Sequence, residues 1–255
     1  MPAQAQDSVA AFGYEWSRLR IVESRLSLYR KVFASRGVWF DYYDDKVVAD
    51  VGSGNGRFAW ALAAMTKARE ILSIELSTDA VEHQRRTLTD SRIRIIQGDA
   101  ARVKFKADVI YAAGFIQHTM DPRATIANLV DNLNDGGELL CSFYMRSLAS
   151  TALRPLRWVL SRLTMDLLWA LTPLLAPLFM VHREGREGGF QNARHTAFDW
   201  LAGHGYQHYF TEATIREACL SASIDEHNIL RVSEGLYRIR KGAFPLILDA
   251  ERIFF

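Results

Sequence analysis

Short runs of apolar residues alternate with segments of helical periodicity from residue 46 onward. Buried parallel strands read as continuous apolar runs, and the helices that connect them repeat their apolar positions every three to four residues. The alternation therefore predicts βαβ units in a parallel sheet that is covered by helices on both faces. The expected strands are Val47–Val51, Ile71–Glu75, Ile93–Gln97, Asp108–Ala112 and Glu138–Tyr144.

The helix predicted before the fifth strand has clear signals at both ends. Asp121 suits the N-cap, where a side chain accepts from free backbone N–H groups, and Pro122 suits the first helical position. The sequence Asn-Asp-Gly-Gly at residues 134–137 is expected to close this helix with a turn into the fifth strand. A further helix is predicted over residues 77–88.

The end of the chain predicts a helix and a hairpin. Apolar residues recur at helical spacing from Ile215 to Ala222. Two β-rich runs, at residues 228–232 and 236–240, follow and are separated by Ser-Glu-Gly. Such a pair of runs is typical of a β-hairpin.

Residues 146–205 interrupt this pattern. Their first part places leucines and Val159 on one helix face with arginines elsewhere, and Leu167–Val181 then contains no charged residue. A membrane-spanning helix needs roughly 20 apolar residues. This run has 15 residues, among them Pro173 and Pro177, so we expect an inserted helical cap instead of a membrane span.

The length of 255 residues suits one large α/β domain. The net charge of +2 gives no reason to expect nucleic acid as a partner.

Cys141 and Cys219 fall at apolar positions, which is typical of small buried side chains in a reducing compartment. Because no secretory signal is recognised, a cytoplasmic location is expected. No metal site is expected either, since no group of residues has the spacing of metal ligands.

The expected parts are an N-terminal helical lid (1–45), a cofactor-binding core (46–145), the cap (146–205) and a terminal helix, hairpin and tail (206–255).

The sequence Asp50-Val51-Gly52-Ser53-Gly54-Asn55-Gly56, here called the glycine turn, joins the first strand to a helix. Glycines let the backbone approach a ligand closely, because a Cβ would fill that space. A tight strand-to-helix turn that binds no ligand can have the same glycines. Glu75, 19 residues past Gly56, is placed to accept from both ribose hydroxyls of a nucleotide. A nicotinamide dinucleotide would use the same crevice. Dinucleotide-binding turns have the pattern Gly-x-Gly-x-x-Gly, whereas this turn has Gly-x-Gly-x-Gly followed by Arg57. In addition, the negative charge of Asp50 would repel the pyrophosphate of a dinucleotide.

Three motifs in order resemble those of the class I S-adenosylmethionine-dependent methyltransferases. Residues 48–56 are similar to motif I, Glu75 falls at the ribose position, and Gly98-Asp99-Ala100 resembles the motif whose aspartate recognises the adenine amino group. The resemblance covers about residues 46–144 and the terminal helix and hairpin. It implies an open, mostly parallel, seven-stranded Rossmann-like sheet with helices on both faces and the antiparallel hairpin at its end, and it does not explain the cap inserted after strand five. It also implies S-adenosyl-L-methionine as the cofactor, bound by Asp50, Gly52, Ser53, Gly54, Gly56, Glu75, Leu76, Asp99, Ala100 and Ala113.

The loop after the fourth strand, residues 113–122, is similar to that of the small-molecule branch of this family. His118 in this loop is a candidate general base, because the pKa of an unperturbed histidine lies near neutrality. A structural role in the wall of the pocket is the favoured interpretation of the two. Residues 12–16 resemble a segment that folds over the cofactor in part of the family, and an amphipathic helix packed on the sheet has the same pattern. Further candidates are His208 for catalysis, and Tyr14, Trp16, Gln117 and Tyr206 for acceptor binding.

The expected reaction is methyl transfer to an oxygen or nitrogen atom of a small, rather apolar acceptor. Neither cysteine follows strand four or five in a loop, where it could attack a pyrimidine ring. One alternative is a lipid or lipid-linked acceptor at a membrane surface, because a basic amphipathic stretch adjoins the charge-free run of the cap. Peripheral membrane contact is the less favoured of these two readings. A third is a cofactor-binding regulatory protein without turnover.

Overall fold

The computed structural model describes residues 3–18, 40–146, 159–160, 163–180, 183–201 and 207–242. Its helices are α1 (Ala3–Trp16), α2 (Arg57–Met65), α3 (Thr78–Thr87), α4 (Pro122–Asn132), α5 (Met165–Phe179), α6 (Arg183–Leu201, kinked at Gly189) and α7 (Glu212–Ser221). Its strands are β1 (Val47–Val51), β2 (Glu70–Glu75), β3 (Ile93–Gln97), β4 (Ala107–Ala113), β5 (Leu133–Ser142), β6 (Ile229–Ser233) and β7 (Leu236–Arg240).

These seven strands form one sheet in the order β3-β2-β1-β4-β5-β7-β6. The strands from β1 to β5 pair in parallel, whereas β7 is antiparallel to both of its neighbours. The predicted mostly parallel sheet with a C-terminal antiparallel hairpin is therefore confirmed. From β1 the chain adds β2 and β3 on one side of the sheet and then returns to add β4 and β5 on the other side of β1. Open α/β folds bind their ligands at the carboxyl ends of the strands where the strand order reverses in this way, here between β1 and β4.

Neighbouring residues of the central strands are buried on opposite faces of the sheet. Val48 and Ile71 pack in a cluster with α2 on one face, and Ala49 and Leu72 pack in a cluster with α4 and α7 on the other. Successive side chains of a strand point to opposite faces, so a sheet covered on both sides needs apolar residues at every position. This packing fixes the carboxyl ends of the strands that carry the site.

The fifth strand begins at Leu133, not at Glu138 as predicted. Ala107 of β4 pairs with Leu133, and Val109 pairs with Glu138, so residues 134–137 bulge out of an otherwise continuous ladder. Gly136 in the bulge has a φ of 77°, as its predicted turn conformation requires. The local conformation was therefore predicted, whereas the pairing of Leu133 depends on the neighbouring strand.

The cap helix α5 continues through Pro173 and Pro177, although proline usually breaks or kinks the interior of a helix. Pro173 has no N–H to donate to the carbonyl of Trp169. That carbonyl accepts instead from Thr172 Oγ1 at 2.6 Å and from Arg194 Nη2 at 3.3 Å. The second contact comes from α6, so tertiary packing compensates for the lost helical bond. None of the helices in the described ranges is long and apolar enough to cross a membrane.

Cys141 and Cys219 are both buried, and neither forms a disulfide. Cys141 lies in β5 and Cys219 in α7, where each packs as a small apolar side chain in the same core cluster. Within the part of the chain that the structure describes, no three His, Cys, Asp or Glu side chains are grouped as metal ligands would be.

Candidate active site

The glycine turn leaves the end of β1 and enters α2. Gly52, Gly54 and Gly56 have φ values of 68°, 58° and 80°, in the left-handed region that favours glycine. A Cβ on Gly52 would lie 2.4 Å from the Phe115 ring, and one on Gly54 would lie 2.9 Å from the Trp16 ring. The turn thus needs glycine for its backbone conformation and for the aromatic side chains that cover it.

Gln84 of α3 holds the turn from behind and was not among the predicted site residues. Its Nε2 donates to Ser53 Oγ at 2.9 Å and to the Gly54 carbonyl at 2.7 Å, and its Oε1 accepts from Ser73 Oγ at 2.8 Å. A Cβ on Gly56 would come within 3.1 Å of this side chain. The only sequence signal is that Gln84 falls on the buried face of its helix. Cofactor contact by Ser53 and Gly56 stays a prediction, since their described contacts support the turn.

Glu75 closes the turn from the neighbouring strand. Its Oε2 accepts the Gly54 N–H at 2.8 Å, and its Oε1 accepts the N–H groups of Leu76 at 2.8 Å and Ser77 at 2.9 Å. Burial raises the pKa of Glu75, and these three backbone bonds act in the opposite direction. A carboxylate has about four acceptor sites. Glu75 therefore fixes the turn and keeps capacity to accept from a ligand hydroxyl.

Asp50 is buried beneath the turn. Its Oδ2 accepts the Ala59 N–H at 3.1 Å, so it caps the first turn of α2. Burial raises the pKa of Asp50 to about 7, although the Ala59 bond and the positive charge of Arg57 lower it. Cofactor binding by Asp50 stays a prediction.

Replacing Asp50 with asparagine should change how stability depends on pH. The folded-state pKa lies above the ordinary value of 3.8, so between about pH 4 and pH 7 the folded protein keeps a proton that the unfolded chain loses. Wild-type stability should therefore fall as the pH rises through this range, by at most roughly 4 kcal/mol from this group. Asparagine keeps the acceptor for Ala59 and has no proton to lose. Denaturant unfolding at several pH values should show a shallower fall for Asp50→Asn, and parallel curves for both proteins would contradict this assignment.

A pocket of about 530 Å³ opens beside the turn, at the carboxyl edge of the central strands. Six of the predicted cofactor-binding residues line it: Gly52, Glu75, Leu76, Asp99, Ala100 and Ala113. The other four, Asp50, Ser53, Gly54 and Gly56, support this wall from behind through the contacts described above.

Asp99 lies at the end of the pocket that follows β3. Its Oδ1 accepts the Ala101 N–H at 2.9 Å, and its Oδ2 lies 4.0 Å from Arg102 Nε. Ala100 and Leu76 belong to the same pocket wall. A carboxylate with acceptor capacity beside apolar side chains suits a flat base whose amino group donates a hydrogen bond.

One face of the N-terminal helix α1 lines the pocket. Val9, Phe12 and Trp16 line it, because residues three and four apart share one helix face. Tyr14 lies on another face, and its hydroxyl donates to Asp166 of α5 at 2.5 Å. Of the two predicted acceptor residues in α1, Trp16 therefore lies at the pocket, whereas Tyr14 connects α1 to the cap.

Gln117 and His118 follow β4 in a short 3-10 helix, Ile116–His118. His118 lines the pocket, with its ring 4.9 Å from Phe12 and 5.5 Å from Tyr144. Gln117 is fully buried, and neither end of its side-chain amide has a hydrogen-bond partner among the described residues. A buried amide left in this way costs on the order of 1–3 kcal/mol per group. Gln117 itself does not line the pocket, so acceptor contact by its side chain stays a prediction.

His208 lies beside the same loop but does not line the pocket. Its backbone N–H donates to the Gln117 carbonyl at 2.8 Å, and its Nε2 lies 3.1 Å from the Thr119 carbonyl. These contacts join the segment after the cap to the loop after β4. A catalytic role for His208 stays a prediction, as does acceptor contact by Tyr206, which is outside the described residues.

The sheet, the glycine turn and the acid at the end of β2 define an open α/β protein that binds a nucleotide cofactor. Residues 49–139 match a family model described as a methyltransferase domain. A comparison with curated proteins gave no match.

Solved structures of methyltransferases share the fold. Magnesium protoporphyrin IX methyltransferase from Synechocystis PCC 6803, with bound SAH, has a TM-score of 0.53 and 15% identity over 88% of this chain and 89% of that chain. An O-methyltransferase family protein from Burkholderia thailandensis has a TM-score of 0.54 and 13% identity over 86% of this chain and 57% of that chain. Human N-acetylserotonin methyltransferase, in complex with SAM, has a TM-score of 0.51 and 13% identity over 86% and 55%.

Residues 49–139 thus form a methyltransferase domain whose fold is shared with solved methyltransferases, and the cofactor to be fitted to the pocket is S-adenosylmethionine. The residues of the pocket fit this molecule. Glu75 presents a carboxylate with acceptor capacity left for a ribose hydroxyl, and Asp99 presents one that can accept from the adenine amino group. Apolar side chains lie between them, where the base would pack.

Proposed function

We propose that the enzyme transfers the methyl group of S-adenosylmethionine to an oxygen or nitrogen atom of a small, mostly apolar acceptor. The cofactor supplies a methyl group that is already activated on a positively charged sulfur. The protein then has to bind the acceptor, align its nucleophilic atom, exclude water and take up its proton.

An aromatic wall of the pocket, formed by Phe12, Trp16, Phe115 and His118, is the observation that carries this proposal. His118 packs between Phe12 and Tyr144, and the Tyr144 hydroxyl donates to Asp199 of the cap helix α6 at 3.3 Å. Aromatic rings offer broad apolar surfaces with few polar partners. A wall of this kind favours a small apolar acceptor over an extended polar one.

Gln117 and His118 have different tasks in this proposal. Gln117 is buried next to His118 and does not line the pocket, and its amide without a partner among the described residues is proposed to bond to the polar group of a bound acceptor. His118 packs the acceptor as part of the wall, and a role as the proton acceptor is the alternative.

Methyl transfer from labelled S-adenosylmethionine to a panel of small phenols, alcohols and amines tests the proposal, with peptide and RNA pools as comparison. We expect a labelled product from at least one small apolar compound. Gln117→Leu should lower kcat/KM for that compound about tenfold or more without changing cofactor affinity. The matched control is Gln97→Leu, at an exposed position at the end of β3. Transfer to peptides or RNA alone would overturn the proposal.

A lipid or lipid-linked acceptor at a membrane surface is the second candidate. Leu167, Leu174 and Leu178 of α5 are 46%, 74% and 68% exposed, and their spacing places them on one helix face. Exposed apolar faces of helices contact membranes or other proteins. Sedimentation with neutral and with anionic liposomes tests this candidate, and Leu174→Lys should reduce binding. Binding that is absent, or that does not depend on anionic lipid, would remove it.

A further inference from the structure

The His118 ring lies between two parts of the chain that are far from it in sequence. It lines the pocket and is 8% exposed. The ring of Phe12 in α1 lies 4.9 Å from it at an interplanar angle of 67°, and the ring of Tyr144, just after β5, lies 5.5 Å from it at 88°. Both contacts have the edge-to-face geometry that aromatic rings favour. The positions of the two neighbouring rings therefore determine how His118 faces the pocket.

The backbone of Tyr144 is fixed by its neighbours, whereas its ring can still rotate about the side-chain torsions. The Phe210 N–H donates to the Tyr144 carbonyl at 2.8 Å, and the Arg146 N–H donates to the Phe210 carbonyl at 2.9 Å. Several staggered rotamers are open to a side chain on such a backbone. At the far end of the ring, the hydroxyl donates to Asp199 Oδ2 at 3.3 Å. Hydrogen bonds to a carboxylate are roughly twice as strong as neutral ones, so this contact selects one position of the ring.

Asp199 follows a closely packed segment of the cap helix α6. Ala197 and Phe198 are both fully buried. The Phe198 ring stacks on Tyr14 of α1 at 5.8 Å, and Trp169 of α5 packs edge-on against it at 5.4 Å. Closely packed side chains leave little room for a helix to shift. Asp199 is therefore a fixed point on the cap from which the Tyr144 ring is held.

We infer that Asp199 is a positioning residue for methyl transfer, which holds the His118 ring in the pocket wall through the Tyr144 hydroxyl. The inference rests on the proposed function, since that proposal places the acceptor against this wall. Asp199 does not line the pocket, so it acts through Tyr144 and not on the acceptor itself. A displacement of about 1 Å in a group that aligns a substrate can lower a rate roughly 100-fold. The cap, which the family motifs do not cover, thereby contributes to the reaction site.

A purely structural role of Asp199, in fastening α1 to the cap, makes different predictions. Asp199 acts electrostatically on Glu15 of α1, and Glu15 Oε1 lies 3.3 Å from His195 Nδ1 of α6. Because α1 lines the pocket, a loosened α1 would weaken cofactor binding together with turnover. A positioning role instead predicts slower turnover with normal cofactor affinity. It also predicts that removal of the Tyr144 hydroxyl alone has the same effect as removal of the carboxylate.

Carbon–proton NMR spectra of the protein labelled in its histidine rings, with S-adenosylhomocysteine bound, test the inference without turnover. The variant His118→Asn identifies the His118 signal. We expect Tyr144→Phe and Asp199→Ala each to move this signal by more than its line width. Asp199→Asn keeps an oxygen that accepts from the hydroxyl, so it should move the signal less. The signal of His83 in α3 should stay in place.

The same variants are then compared in methyl transfer from S-adenosylmethionine to the small phenol, alcohol or amine that the panel identifies. Tyr144→Phe and Asp199→Ala should each lower kcat about tenfold, while the affinity for S-adenosylhomocysteine changes less than about twofold. The double variant should be no slower than the slower single variant, because both changes break one contact. The matched controls are Tyr237→Phe, whose hydroxyl has no hydrogen-bond partner among the described residues, and Asp225→Ala, at an exposed position. Both should behave like the wild type.

Three results would overturn the inference. An unchanged His118 signal in Tyr144→Phe would show that the hydroxyl contact does not orient the ring. A loss in Asp199→Asn as large as in Asp199→Ala, or additive losses in the double variant, would assign Asp199 to another task. Weakened binding of S-adenosylhomocysteine in step with kcat would show that Asp199 only fastens α1. Because the NMR spectra need no acceptor, they decide the position of the ring even if the panel gives no product, which would contradict the proposed function instead.

Discussion

Replacing Glu75 with alanine is expected to weaken the binding of S-adenosylhomocysteine about 100-fold or more. The carboxylate is the predicted acceptor for the ribose hydroxyls, and hydrogen bonds to a charged group contribute roughly 1.5–3 kcal/mol each. It also accepts three backbone N–H groups, one of them from Gly54 in the turn. Alanine therefore removes a ligand contact and loosens the loop that forms the pocket. Calorimetry gives the affinity, and thermal unfolding reports the accompanying loss of stability.

Glu70→Ala is the matched control for this substitution. Glu70 begins the strand that Glu75 ends, and its carboxylate forms a surface ion pair with Arg94 at 3.0 Å. Exposed ion pairs contribute at most about 1 kcal/mol. The control should bind the ligand like the wild type. A Glu75→Ala protein that is folded and binds within threefold of the wild type would refute the ribose assignment.

Replacing Gly54 with arginine should abolish measurable cofactor binding. Gly54 has a φ of 58°, which costs a residue with a Cβ about 1 kcal/mol or more. Its Cβ would lie 2.9 Å from the Trp16 ring, so the new side chain must displace α1 or distort the turn. Either movement changes the pocket wall that Trp16 and Gly52 form.

Gly136→Ala separates backbone strain from the change at the site. Gly136 has a φ of 77°, and a Cβ there would meet no atom within 4 Å. This control should lose a similar small amount of stability while it binds S-adenosylhomocysteine normally. If Gly54→Arg also binds normally in equilibrium dialysis, the turn is not part of the cofactor site.

Most of the sheet could be predicted because its strands are buried on both faces. Val48 and Ala49 pack on opposite sides, so the strand reads as an unbroken apolar run. The start of α4 was equally clear, since Asp121 Oδ1 accepts from the N–H groups of Arg123 and Ala124, both at 3.0 Å. Local signals of this kind require no knowledge of the rest of the molecule.

Features that depend on a distant partner could not be predicted. Leu133 pairs in the sheet only because β4 lies beside it, and α5 continues through Pro173 because Arg194 of another helix bonds to the free carbonyl. The same holds in the site. Glu75 and Asp99 follow their strands at recognisable positions, whereas Gln84 bonds to Ser53 and Gly54 of the turn from a helix about 30 positions further along the chain.

The central claim is that the pocket beside the glycine turn holds S-adenosylmethionine and not a dinucleotide. Titration of the wild-type protein with S-adenosylhomocysteine in a calorimeter tests it most directly, with NAD as the competing ligand. We predict saturable binding of one S-adenosylhomocysteine per chain, which S-adenosylmethionine displaces and NAD at millimolar concentration does not. Binding of NAD in its place, or displacement of S-adenosylhomocysteine by NAD, would contradict the account.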